Sequence, residues 1–94
     1  MDVPVRLPAI LREFADGEAI LKVPLPDEAT VGDLLDRLAA DLPALERRVR
    51  DERGRLRQHV NVFVGDTNAR DAGGLDMPIP EGAEVQVIPA VSGG

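Results

Sequence analysis

Residues 59–94 read HVNVFVGDTNARDAGGLDMPIPEGAEVQVIPAVSGG, and the fold turns on how this stretch is divided. Val60, Val62 and Val64 alternate with Asn61 and Phe63, the period of a strand with one buried face. Periodicity alone does not say which set faces the core. Gly65-Asp66 opens a turn-rich segment in which Gly73-Gly74 marks a bend needing positive φ. No GxGxxG or GxxxxGK[ST] pattern surrounds that pair, so it is not a phosphate loop. Leu75–Ile79 offers a further short strand, and Pro80-Glu81-Gly82 is a turn by composition. Val85, Val87 and Pro89 then mark a last strand, followed by Ala90-Val91-Ser92-Gly93-Gly94.

Working back toward the N-terminus, Val3, Val5 and Leu7 alternate with Pro4, Arg6 and Pro8. Pro4 cannot donate to a ladder, so it belongs at the strand start or on an unpaired side. Leu21, Val23 and Leu25 repeat the period after a loop at Ala15–Glu18, and the two segments read as an antiparallel pair. Their connection has room for a helical turn around Ile10–Phe14. Thr30 with Asp33 is a weak capping box, and Val31, Leu34, Leu35, Leu38 and Leu42 follow at helical spacing. Pro43 either closes that helix or opens a second short one in which Leu45 and Val49 share a face.

The order strand, strand, helix, strand, strand predicts an α+β fold of the β-grasp type, a small mixed sheet with one main helix on one face. If the first and last strands run side by side in parallel, the chain leaves from the sheet centre. Residues 1–89 then form the domain, and residues 90–94 a flexible tail ending in Gly-Gly. A chain of 94 residues holds one such domain and one modest core.

The side-chain inventory argues against catalysis. There is no Cys, Tyr or Trp, and His59, Ser92 and Lys22 are each the single residue of their kind. Nucleophilic catalysis needs a nucleophile beside a base, and metal sites need clustered ligands. Without cysteine there is no disulfide framework. The start MDVPVRLP lacks a signal-peptide core and no apolar run spans a membrane, which together predict a cytoplasmic protein without a membrane partner. Net charge is −6, yet residues 47–57 carry six arginines against Asp51 and Glu52. A solvated turn is the ordinary reading of such a cluster. Docking an acidic groove of a partner is the functional alternative. Nucleic acid ranks below both, since no aromatic is interleaved for base stacking.

Taken with the landmarks LPAILRE, VNVFV, GGL and IPAVSGG, the chain resembles the sulfur-carrier branch of the ubiquitin-like family. That branch includes the small subunit of molybdopterin synthase, the thiamine-pathway carrier and the actinobacterial cysteine-synthesis carrier, the last being the nearest match. Pro4 in the first strand and Gly65, where family members often carry Asn, depart from the pattern. The resemblance implies that the protein is no enzyme and binds no cofactor. An ATP-dependent partner would adenylate the carboxylate of Gly94. Sulfide or a sulfurtransferase persulfide would then displace AMP to leave a thiocarboxylate. A pyridoxal-phosphate cysteine synthase would accept the sulfur, and a zinc-dependent peptidase would release cysteine. Molybdopterin synthesis and sulfuration of a secondary metabolite are the alternatives within the class, and an interaction module with an inert tail is the alternative outside it.

The chemistry explains the residue types. An α-carboxylate is ionised at neutral pH and repels nucleophiles until it is activated. Fully extended, Val91–Gly94 reaches about 13 Å. Glycine passes a narrow channel because it has no Cβ and accepts either sign of φ. Gly94 therefore carries the reaction, Gly93 gives passage, and Val91 and Ser92 guide the tail. Phe63, if the valines are core, is exposed on the sheet face away from the helix and is a further partner contact.

Overall fold

A computed structural model describes residues 1–89; the expected tail, 90–94, lies outside the described residues. Five strands form one sheet. They are β1 (Asp2–Arg6), β2 (Ile20–Pro24), β3 (Val60–Val64), β4 (Thr67–Asn68) and β5 (Val85–Pro89), in the spatial order β2-β1-β5-β3-β4. β1 runs antiparallel to β2, with Val3 opposite Val23 and Val5 opposite Leu21. β5 lies between β1 and β3, parallel to the first and antiparallel to the second. The expected parallel pairing of first and last strands is therefore present, with Val5 opposite Val85.

Pro4 sits in β1 at no cost to the ladder. Leu7 N–H donates to Ala19 O and Leu25 N–H to Met1 O, so the pairs exchanging hydrogen bonds with β2 are the odd residues of β1. The nitrogen of Pro4 therefore faces β5, whose pairing with β1 begins only at Val5. Pro24, on edge strand β2, directs its nitrogen away from β1 by the same alternation.

The main helix, α1 (Val31–Asp41), starts at a complete capping box. Asp33 N–H donates to Thr30 Oγ1 at 3.2 Å, and Thr30 N–H donates to Asp33 Oδ2 at 2.9 Å. Val31, Leu34, Leu35 and Leu38 are buried against the sheet's inner face. Pro43 opens a second helix, α2 (Pro43–Val49), which buries Leu45 and Val49. The expected helical turn near Ile10–Phe14 is a 3₁₀ helix spanning Ala9–Ala15. It returns through Asp16 and Gly17, both at positive φ.

One expectation fails. Leu75–Ile79 is not a strand: Gly74–Asp76 forms a 3₁₀ turn, and the only pairing of the segment is a single bridge from Pro78 to Thr30. Gly73 at φ 101° and Gly74 at φ 62° make the bend foreseen for this dipeptide. The bend turns the chain too sharply for a ladder. The short β4, paired to β3 through the two-residue turn Gly65-Asp66, was not foreseen. Gly65 has φ 59°, a backbone that Gly and Asn both tolerate, which accounts for this departure from the family pattern.

Candidate functional site

Alternation along β3 settles which set is core. Val60, Val62 and Val64 are buried, and Phe63 and Asn61 point to the opposite face. Phe63 is half-buried there, opposite Gln86 of β5 on one side and Asn68 of β4 on the other. It is not part of the core cluster.

The same parity arranges the rest of this outer face. Crossing the sheet from β2, the row reads Ile20, Arg6, Gln86, Phe63 and Asn68. Ile88 stands one step nearer the end of β5, opposite Asn61. Ile20 is 41% exposed and Ile88 39%, high values for large apolar side chains. Polar contacts frame them. Arg6 Nε donates to Glu84 Oε1 at 2.6 Å, and this bond holds the Arg6 pKa above its ordinary value. Asn68 Nδ2 donates to Asn61 Oδ1 at 3.3 Å, and Arg70 Nε donates to the same oxygen at 3.2 Å. Arg70 also donates to the carbonyls of Val60, at 2.7 Å, and Arg57. Apolar side chains that are partly exposed within a fixed polar frame suit contact with another protein.

Of the five residues expected to form the site, the structure therefore places Phe63 on the outer face beside β5. Val91, Ser92, Gly93 and Gly94 lie outside the described residues, as does the rest of the expected tail. What is described is the tail's base. β5 is paired with β1 at Val85 and Gln86 and with β3 along its whole length, where Pro89 is opposite Val60. Ile20, Ile88 and the Arg6–Glu84 pair were missed by sequence reasoning. Their outward parity was legible; their sharing one face with Phe63 depends on strand order, which no local pattern carries.

The arginine cluster divides once its surroundings are known. Arg50 does not belong with the surface cations. It is 8% exposed and bonded at 2.9 Å to both Glu46 of α2 and Asp36 of α1, so it ties the two helices together. Asp51 closes the following turn by accepting the N–H groups of Arg53 and Arg55. The Arg55 bond is the main reason its carboxyl titrates below the ordinary range.

Among the described residues, no group of three or more His, Cys, Asp and Glu is placed to hold a metal ion. No described helix is long and apolar enough to cross a membrane.

A mixed sheet that grasps a capped helix and centres its last strand defines a ubiquitin-like, β-grasp protein. The chain belongs to the ThiS family, whose model matches residues 5–94, and so to the ubiquitin-like sulfur-carrier group it resembles in sequence. It is 33% identical to the sulfur carrier protein CysO of Mycobacterium tuberculosis, with the whole of both chains covered. It is 39% identical to small archaeal modifier protein 1 of Haloferax volcanii, over 95% of this chain and 97% of that one. Among solved structures it is similar to a chain of the Amycolatopsis orientalis BexX/CysO complex. There the TM-score is 0.86 and the identity 32%, with 98% of this chain and 99% of the other covered.

Proposed function

We propose that this protein is a sulfur carrier that bears its sulfur as a thiocarboxylate on Gly94 and supplies it to cysteine synthesis. One observation carries the reading. β5, the strand leading to the tail, is paired with β3 along its whole length to Pro89 and with β1 at Val85 and Gln86, and Pro89 is only five residues short of Gly94. A tail anchored this way can be offered to another protein's active site without disturbing the core. Similarity to the sulfur carrier protein CysO supports the carrier class and, within it, the cysteine branch.

The chain's own part in the chemistry is small. A partner would activate the Gly94 carboxylate with ATP by adenylation. Sulfide would then displace AMP at the carbonyl carbon and leave C(O)S⁻ directly; a persulfide would displace AMP to give an acyl disulfide, whose S–S bond a thiol of the sulfur-donating partner would cleave to C(O)S⁻ and a disulfide. A pyridoxal-phosphate cysteine synthase would take the sulfur, and a zinc-dependent peptidase would free the product. The carrier contributes presentation: the outer face with Phe63 meets the partner, and Val91, Ser92 and Gly93 carry the carboxylate to the nucleotide. Location in the cytoplasm, where these soluble partners would work, is part of the same proposal.

The test is intact mass after incubation with ATP, an adenylating enzyme and sulfide. The wild-type chain should gain about 16 Da, oxygen replaced by sulfur, a change set by covalent chemistry alone. Adding one residue after Gly94 moves the end of the chain by about 3.5 Å, and deleting Gly94 withdraws it equally. Reactive geometry tolerates roughly 1 Å, so both variants should melt as the wild type does and gain no sulfur. An extended protein that still becomes a thiocarboxylate, with no protease present to trim it, overturns the proposal.

A further inference from the structure

The six arginines of residues 47–57 have different fates: of the four without a carboxylate partner among the described residues, Arg47, Arg48 and Arg57 line one cleft and Arg53 does not. Arg50 is buried in its two ion pairs, and Arg55 has Asp51 at 3.7 Å. Among the described residues, Arg47, Arg48 and Arg57 have no carboxylate within ion-pair distance, and together with Phe14 and Ala44 they line a cleft between α2 and the Ala9–Ala15 turn. Their mutual placement is built. Arg57 Nε donates to Arg47 O at 2.7 Å, and the Arg48 guanidinium lies 4.6 Å from the centre of the Phe14 ring. Three cations side by side, none in a direct ion pair though Arg57 also acts on Asp51 at longer range, repel one another and gain from an outside anion.

The neighbouring surfaces say what kind of anion fits. Arg48 and Phe14 continue into a second cleft with Ile10, Glu13 and Pro89, and Ile10 is 69% exposed. One end is thus cationic and the other apolar apart from Glu13. On the far side of Arg47 and Arg57 the surface turns acidic, with Glu46, Asp51 and Glu52. The positive region is therefore only about as wide as three guanidiniums, and a long phosphate backbone would run onto carboxylates. The Phe14 ring, with a guanidinium over it, is engaged as a cation–π partner rather than left open for a base. We infer that the cleft lined by Phe14, Arg47, Arg48 and Arg57 docks a short acidic segment of a partner protein, one that carries an apolar side chain to rest on Ile10. Through Pro89 this surface adjoins the base of the tail, on the helix side of the molecule rather than on the outer sheet face. The inference concerns that surface alone and stands whether or not Gly94 carries sulfur.

The test is an amide-shift titration of the ¹⁵N-labelled full chain at low salt with three probes of equal charge. One is a peptide of glutamate pairs separated by leucine, the second has serine in place of leucine, and the third is an oligothymidylate. The leucine peptide should move the amides of residues 10–14, 44–49 and 57. Its affinity should fall about tenfold in the Arg47→Gln/Arg48→Gln double variant and again on adding salt. Ile10→Asp should weaken it comparably, and as Ile10 is exposed the variant should fold normally. Arg57 is left intact because its side chain also supports the backbone at Arg47. Tighter binding of the oligothymidylate, equal binding of the serine peptide, shifts centred elsewhere, or undiminished binding by the double variant would each overturn the inference.

Discussion

Arg50 shows how a residue's meaning can be hidden by its neighbours in sequence. Within RRVRDERGRLR it reads as one more solvated charge. Its bond to Glu46 was legible, because an i, i+4 pair on one helix face needs no tertiary knowledge. Asp36 was not legible as a partner, because it comes from α1 and meets Arg50 only when the two helices pack. Removing Arg50 leaves the largely buried Glu46 carboxylate uncompensated, which typically costs about 3 kcal/mol. Arg50→Met should therefore lower unfolding free energy by about that amount in a urea titration, while Arg47→Gln on the surface should change it by less than about 0.5 kcal/mol. Equal, small effects would return Arg50 to the solvated surface.

At the scale of elements, the sequence was most readable where one segment carries its own instructions. Thr30 and Asp33 announce the start of α1, and Pro43 divides α1 from α2. The segment after β4 was least readable, since its shape comes from what it touches. The Gly74–Asp76 turn is fastened across the helix start by Val31 N–H to Met77 O and Ile79 N–H to Ala29 O, both at 2.9 Å. Gly32, in the first turn of α1, lies so close that an added Cβ would meet Leu75 O at 3.1 Å. Alanine at a helical position ordinarily gains about 1 kcal/mol over glycine. Here that gain is opposed by a backbone carbonyl in a segment fastened to the helix start by two hydrogen bonds, and overpacking of this kind costs about 1–3 kcal/mol. Gly32→Ala should melt below the wild type. A rise in melting temperature would mean that the turn yields freely and that the close approach is incidental.

For the whole molecule, the β-grasp order was legible from the run of elements, and the parallel β1–β5 pairing followed from it. What remained open was which face of β3 is core, and the answer divides the molecule's work between two faces. The inner face, with Val62 fully buried, holds the fold; the outer face, which carries Phe63, Ile88, the Arg6–Glu84 pair and, on edge strand β2, Ile20, is available to a partner. Two substitutions one residue apart should therefore behave oppositely. Val62→Ala leaves a cavity and should cost about 2 kcal/mol. In a domain of this size that lowers the melting temperature by about 10 °C, with the KM of thiocarboxylate formation little changed in protein that remains folded. Phe63→Ala loses only cross-strand contacts, worth less than about 1 kcal/mol, and should lower melting by a few degrees. If Phe63 is a central contact for the adenylating partner, its loss should raise the KM about tenfold and leave kcat near wild type, because the ring meets the partner and not the reacting carbon. A Phe63→Ala protein that melts as low as Val62→Ala, or that reacts with an unchanged KM, would remove Phe63 from the docking face and leave the tail alone to recruit the partner.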